Sequence, residues 1–195
     1  DTISVFDKTS KSIYFFNEDG KFLSKIKRIG RSRAEYVDIL DITFSKDEVI
    51  ILDNSQFKVL AFDYQGKYKY SFEIEEGVSI NSFDNNIFIG NYWGGTANVG
   101  WRILNYDKNG ELVSKHIQGY KKDYKRLISE NSFFTKYNDS LYYWQPSDDI
   151  VYKYCDGEFV QSYKFDLGEK TLPEKYARRG LDYVMSYCKN SAWLI

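Results

Sequence analysis

Apolar and aromatic residues along this chain come in short runs of five to nine, separated by polar turns, with almost no stretch of helical spacing. YVDILDITF (36–44), VIILD (49–53), FKVLAFD (57–63) and KYKYSFEI (67–74) are four successive strand-like runs. Between them stand SKDE, Asn54-Ser55-Gln56 and a turn containing Gly66. Such runs, rich in aromatic and β-branched residues and punctuated by Gly, Asn, Asp and Ser, predict strands joined by hairpins.

The pattern then recurs. VSINSF, DNN, IFIGNYW, the longer GGTANVG, WRILNYD, Gly110 and ELVSKHI form a second set. SFFTKY, ND, SLYYWQ, PSDD, IVYKYC, Gly157 and EFVQSYKF form a third. IYFFNEDGKFLSKI opens the series earlier, around Gly20. The turn glycines Gly20, Gly66, Gly110 and Gly157 stand 46, 44 and 47 residues apart. A four-stranded unit repeating at that interval predicts an all-β fold, a β-propeller of antiparallel blades. Glycine is expected at each tight reversal because it alone takes positive φ without steric cost. No blade can cover both of its own faces, so neighbours share a core.

The expected blades are residues 1–30, 31–76, 77–118, 119–167 and an incomplete 168–195. The first lacks its innermost strand, and YVMSYCKNSAWLI (183–195) supplies two strands of the last. About four blades are thus present, which reads as a fragment of a six-bladed ring. A four-bladed ring closed by the C-terminal strand would leave Ser191–Ile195 over.

Composition sharpens the picture. Aromatic residues make up 18% of the chain (18 Tyr, 14 Phe, 4 Trp), favouring half-buried pleated surfaces over helices. Lys+Arg 27 against Asp+Glu 28 leaves a net charge of -1, so no global field attracts nucleic acid. Lys121, Lys122, Lys125, Arg126, Arg178 and Arg179, interleaved with Tyr120, Tyr124 and Tyr176, are offset by Asp123, Glu130, Glu169 and Glu174. Cys155 and Cys188 match no metal-ligand spacing and read as free thiols or a disulfide. No apolar run reaches membrane-spanning length.

Residues 21–74 resemble the NHL-like six-bladed propellers of Gram-negative bacteria. Gly30, Glu35 and Tyr36 match that family's Gly-x-Gly-Pro-Gly-Glu-Tyr/Phe lead into a blade. Asp53 matches its strand-ending aspartate, and Phe62, Asp63 and Gly66 match its Phe-Asp-x-x-Gly turn. Ser32, Arg33 and Ala34 depart from the motif. YKFDLGEKTLPEKY (163–176) is similar to an interblade connection of the same family. The resemblance implies export to the periplasm, outer membrane or cell surface, with a lipid anchor outside this chain. It also implies a protein, peptide or glycan ligand bound on one face.

Candidate chemistry is sparse. His116, the one histidine, lies in an outer strand where the repeat offers it no partner, so neither a Ser-His-Asp nor a Cys-His system is predicted. It is expected to be a partly exposed strand residue. The Asp-containing turns NEDG, DYQG and DKNG mimic the start of a calcium loop without its ligand ladder or closing glutamate. Backbone capping by Asp and Asn accounts for them. Asp41 and Asp53 could approach a central channel, but the corresponding positions elsewhere are Asn81 and Asn91. No catalytic residue, metal or cofactor is therefore assigned.

Two features remain as a binding surface. Loops between the second and third strands, and the connections between blades, fall on the face opposite the glycine turns. That face gathers Tyr92, Trp93, Trp101, Trp144, Gln145 and Asp148, with Arg31, Arg33 and Glu35 from a connection. Aromatics beside polar groups suit sugars or peptide side chains; the competing reading packs the tryptophans between blades. The predicted function is a non-catalytic binding module for a protein, peptide or glycan. The alternative is a propeller hydrolase or lyase with a metal in the central channel.

Overall fold

The computed structural model describes residues 2–91, 100–119, 133–145, 149–166 and 168. Every regular element of three or more residues among them is a β-strand. The first sheet has three strands, β1 (Thr2–Asp7), β2 (Ser12–Asn17) and β3 (Phe22–Ile26). The second has β4 (Asp41–Phe44), β5 (Val49–Asp53), β6 (Lys58–Phe62) and β7 (Tyr68–Glu73). The third has β8 (Ser79–Phe83), β9 (Asn86–Gly90), β10 (Trp101–Tyr106) and β11 (Leu112–Gln118). The fourth has β12 (Phe134–Tyr137), β13 (Ser140–Tyr143), β14 (Ile150–Cys155) and β15 (Glu158–Lys164). In each sheet a strand pairs only with its neighbours in sequence, which is the meander of a propeller blade.

Local chemistry explains the turns. Asp84-Asn85 and Asn138-Asp139 carry positive φ at both positions, and so do Asp156 and Gly157. This is the type I′ geometry that matches the twist of paired strands. The wider turns place Gly20, Gly66 and Gly110 at φ of 78°, 80° and 88°. Their leading residues cap them: Asp63 Oδ1 accepts from the N–H groups of Gln65 and Lys67, and Asp107 Oδ1 from those of Asn109 and Glu111. The calcium-like look of these segments is turn capping, with the carboxylates turned onto their own backbone.

Contacts divide the chain into two compact units, Asp1–Ile89 with Asn105–Ser114 and Gly90–Leu104 with Lys115–Ile195. In the first unit Ile13, Phe15, Ile26, Tyr36, Ile39, Val49, Ile51, Leu60 and Phe62 form one buried cluster. Its rings meet edge to face, Phe15 with Tyr64 at 5.4 Å and Tyr36 with Phe62 at 6.5 Å. All of β5 and β6 is buried, and their VIIL and VLAF stretches read as unbroken apolar runs rather than alternating ones. The outer β7, half solvated, alternates. In the second unit Phe134, Leu141, Tyr143 and Phe159 form the core of the fourth sheet.

Two expectations fail. The strand expected over 36–44 begins only at Asp41. Tyr36 is instead drawn into a parallel bridge with Ile29 and buries its ring, while the Val37 N–H is taken by Asp53 Oδ2 at 2.7 Å. His116 is buried rather than partly exposed. Its Nδ1 lies 3.1 Å from Glu158 Oε2, and the ring packs edge-on against Phe159 and Tyr154. The partner that the sequence does not show comes from β15, 42 residues away and in a different sheet.

Candidate functional site

Arg31, Arg33 and Glu35 lie in one clasp in the first unit. The segment 28–36 doubles back on itself: Tyr36 N–H donates to Arg28 O, Gly30 N–H to Tyr36 O, and Glu35 N–H to Ser32 O. Tyr36 anchors its base, donating its hydroxyl to Lys11 O at 2.8 Å. Glu35 Oε2 accepts the Ser32 N–H at 2.9 Å, and these bonds from Ser32 hold its carboxyl below the usual glutamate range. The loop carbonyls point inward. Lys58 Nζ donates to Ser32 O and Glu35 O at 3.0 and 2.7 Å, Gln56 Nε2 to Glu35 O, and Ser71 Oγ to Arg33 O. Burial pulls the Lys58 ammonium below its ordinary range, with Asp53 working against that. Arg31 and Arg33 project outward from this frame and are exposed.

Neither Gln56 nor Lys58 was singled out in the sequence. Their signal is weak: a second-to-third-strand loop beside an interblade connection, each ordinary alone. Asp53 also departs from the channel role considered for it. Fully buried, it accepts from the N–H groups of Val37, Ser55 and Gln56 and from Gln56 Nε2, tying the loop to the strand end. Asp41 is used similarly, Oδ1 accepting from Ile42 N–H and Oδ2 from Ile80 N–H.

The second unit holds Trp101, Trp144 and Gln145. Trp144 is 42% exposed and lines a shallow hollow of about 300 Å³ with Tyr137, Tyr142, Val151 and Tyr163. Strand register makes this group: Thr135 faces Tyr142 and Val151 faces Tyr163 across their pairs. The Tyr142 and Tyr163 rings lie 6.2 Å apart at 30°, and Lys153 Nζ sits 5.9 Å from the centre of Tyr142. Gln145, next in sequence to Trp144, is buried and donates from Nε2 to Asn91 O, while Asn91 Nδ2 reaches Trp101 O at 3.3 Å. Asn91 thus bridges Gln145 to Trp101, which is half-buried. Gln145 Oε1 and Asn91 Oδ1 accept no hydrogen bond among the described residues. The tyrosines of the hollow were missed because their alternation along β12 and β13 gains meaning only once register is known.

Tyr92, Trp93 and Asp148 lie outside the described residues, as do Cys188 and the basic residues at 121–126 and 178–179. Cys155 is an exposed free thiol. Among the described residues no group of three or more His, Cys, Asp and Glu could hold a metal ion, and no helix is long and apolar enough to cross a membrane.

The model of the domain of unknown function DUF4934 matches residues 1–194. The chain belongs to the DUF4934 family. No curated protein is significantly similar to it. Among solved structures, the DUF4934 chain is similar to a protein from Bacteroides fragilis named as exported, with a TM-score of 0.73 and 16% identity over 95% of this chain and 55% of that one. A member of the DUF4221 family from Bacteroides vulgatus gives a TM-score of 0.57 and 12% identity over 88% and 56%. Virginiamycin B lyase from Staphylococcus aureus gives 0.53 and 16% over 87% and 54%. The likeness places the DUF4934 chain among β-propellers, and the chain spans about half the length of these structures.

Proposed function

We propose that this DUF4934 domain is a non-catalytic binding and scaffold module of a larger NHL-like six-bladed propeller. In this reading it recognises a protein, peptide or glycan through loop residues. One observation carries the proposal: Trp144 stands 42% exposed at a hollow that it lines with Tyr137, Tyr142 and Tyr163. A tryptophan exposed at the rim of an aromatic hollow is a candidate anchor, since aromatic residues dominate recognition hot spots. The braced Arg31, Arg33 and Glu35 loop belongs to the same reading, as do Trp101 and, outside the described residues, Tyr92, Trp93 and Asp148.

The Bacteroides fragilis protein named as exported supports an exported location. The second reading is a lyase or hydrolase with a metal in the central channel, favoured by the similarity to virginiamycin B lyase. A glycan and peptide array probed with the purified protein tests the binding reading. Trp144→Ala combined with Trp93→Ala is expected to weaken any ligand found by at least about tenfold. Binding that ignores both changes removes the site. Stoichiometric calcium or zinc in the purified protein would favour the lyase reading instead.

A further inference from the structure

The segment Lys25–Arg33, KIKRIGRSR, places five cations in nine residues of a chain whose net charge is -1. Arg28, Arg31 and Arg33 are exposed, and no ion pair among the described residues engages their guanidiniums. The neighbouring acids are committed elsewhere. Glu35 caps Ser32, Asp53 accepts four donors from Val37, Ser55 and Gln56, and Asp38 pairs with Lys11 at 3.3 Å. Among the described residues the three guanidiniums therefore make no internal ion pair.

They are also held in place. The carbonyls of Arg28, Gly30, Ser32, Arg33 and Glu35 accept from Tyr36, Gln56, Lys58 and Ser71, so the backbone beneath the guanidiniums is tied at five points. Gly30 is required for this packing: a Cβ there would lie 2.1 Å from Glu35 Oε2 and evict the carboxylate from its cap. A braced backbone loses less freedom when a ligand docks, and a planar guanidinium matches a carboxylate with two parallel hydrogen bonds. Two exposed apolar side chains flank the charges, Ile29 at 49% and Phe57 at 48%, the latter next to Gln56, which bonds the loop. Arginine beside exposed apolar groups is the composition of a protein-recognition surface.

We propose that the clasp 28–36 with Phe57 is a docking site for an acidic peptide segment that alternates carboxylate and apolar side chains. The inference rests on the binding reading above and names its partner class.

The test uses the full chain and a fluorescein-labelled eight-residue peptide in which glutamate pairs alternate with phenylalanine, followed by anisotropy at two salt concentrations. Saturable binding that weakens with salt is expected, with none for the same peptide carrying glutamine in place of glutamate. Arg31→Ala with Arg33→Ala is expected to weaken binding at least about tenfold. Gly30→Ala, which keeps every charge but displaces the Glu35 carboxylate from its cap, should weaken it about threefold. Circular dichroism confirms that the variants fold. Equal binding of the glutamine peptide, or binding unaltered in the arginine double variant, overturns the proposal. Polygalacturonate displacing the peptide at equal carboxylate concentration reassigns the site to an acidic glycan and overturns it too. A Trp144-dependent ligand on the array alongside failure of the acidic peptide would sink this inference and leave the binding reading standing.

Discussion

At the scale of single residues, equivalent positions in the repeat carry unequal weight. Gly20 and Gly110 both take positive φ at the last-strand turn, yet a Cβ on Gly20 meets nothing within 4 Å while one on Gly110 lies 2.5 Å from Phe72 Cβ. Alanine at position 20 bears only the left-handed backbone, about 1 kcal/mol. At position 110 it must also displace a ring stacked on Tyr106, adding about 1–3 kcal/mol. Urea unfolding of Gly20→Ala and Gly110→Ala should therefore separate the two variants, with Gly110→Ala the less stable. Asp53 makes the complementary case. Replacing it with alanine strands up to four donors in a buried setting, and a loss of about 2–3 kcal/mol is expected from the same measurement. Glycine at the turns was legible because positive φ leaves few alternatives. Asp53 was legible as a motif residue but not as a buried cap, since its donors come from two separate loops.

Among elements, the depth of burial should govern how often each strand opens. β5 and β6 are buried along their whole length and paired on both sides, whereas β1 is mostly exposed and lies at the edge of a three-stranded sheet. Amide hydrogen exchange should therefore be slowest in β5 and β6 and at least about a hundredfold faster in β1. Equal protection across β1 would mean that its free edge is covered in solution. The apolar runs VIIL and VLAF announced the central strands, because two-sided burial removes alternation. The start of β4 did not announce itself: YVDIL has strand composition, but Tyr36 gains more by burying its ring and bridging Ile29 than by extending the ladder.

For the molecule as a whole, the contacts that lock segments together are those least visible in sequence. Glu48 sits in the unremarkable turn SKDE, yet it is buried and receives Lys69 Nζ at 2.6 Å, Lys108 Nζ at 3.0 Å and the Tyr70 hydroxyl at 3.1 Å. It joins the β4–β5 turn, β7 and the turn after β10, just as Gln145 and Asn91 join segments 54 residues apart in the candidate site. Such convergence depends on register, so no local pattern reports it. It does have a measurable consequence. Burial alone would raise the Glu48 carboxyl, but the two ammoniums and the tyrosine outweigh it and hold it below the ordinary value of 4.5. Hydrogen bonds from Ser10, Glu111 and Ser32 hold Asp7, Asp107 and Glu35 low in the same sense. A carboxyl depressed in the folded state binds its proton more readily when unfolded, so its stabilisation is full above the unfolded value and is lost as the pH falls through the folded one. The urea midpoint should therefore be flat near neutrality and drop below about pH 4.5. Glu48→Gln should lower stability by about 2 kcal/mol at pH 7 and make the acid drop shallower, because part of what acid removes is already gone. An acid drop of unchanged depth in that variant would show that the two lysines gain as much from water as from Glu48, and that the segments are held by their apolar faces alone.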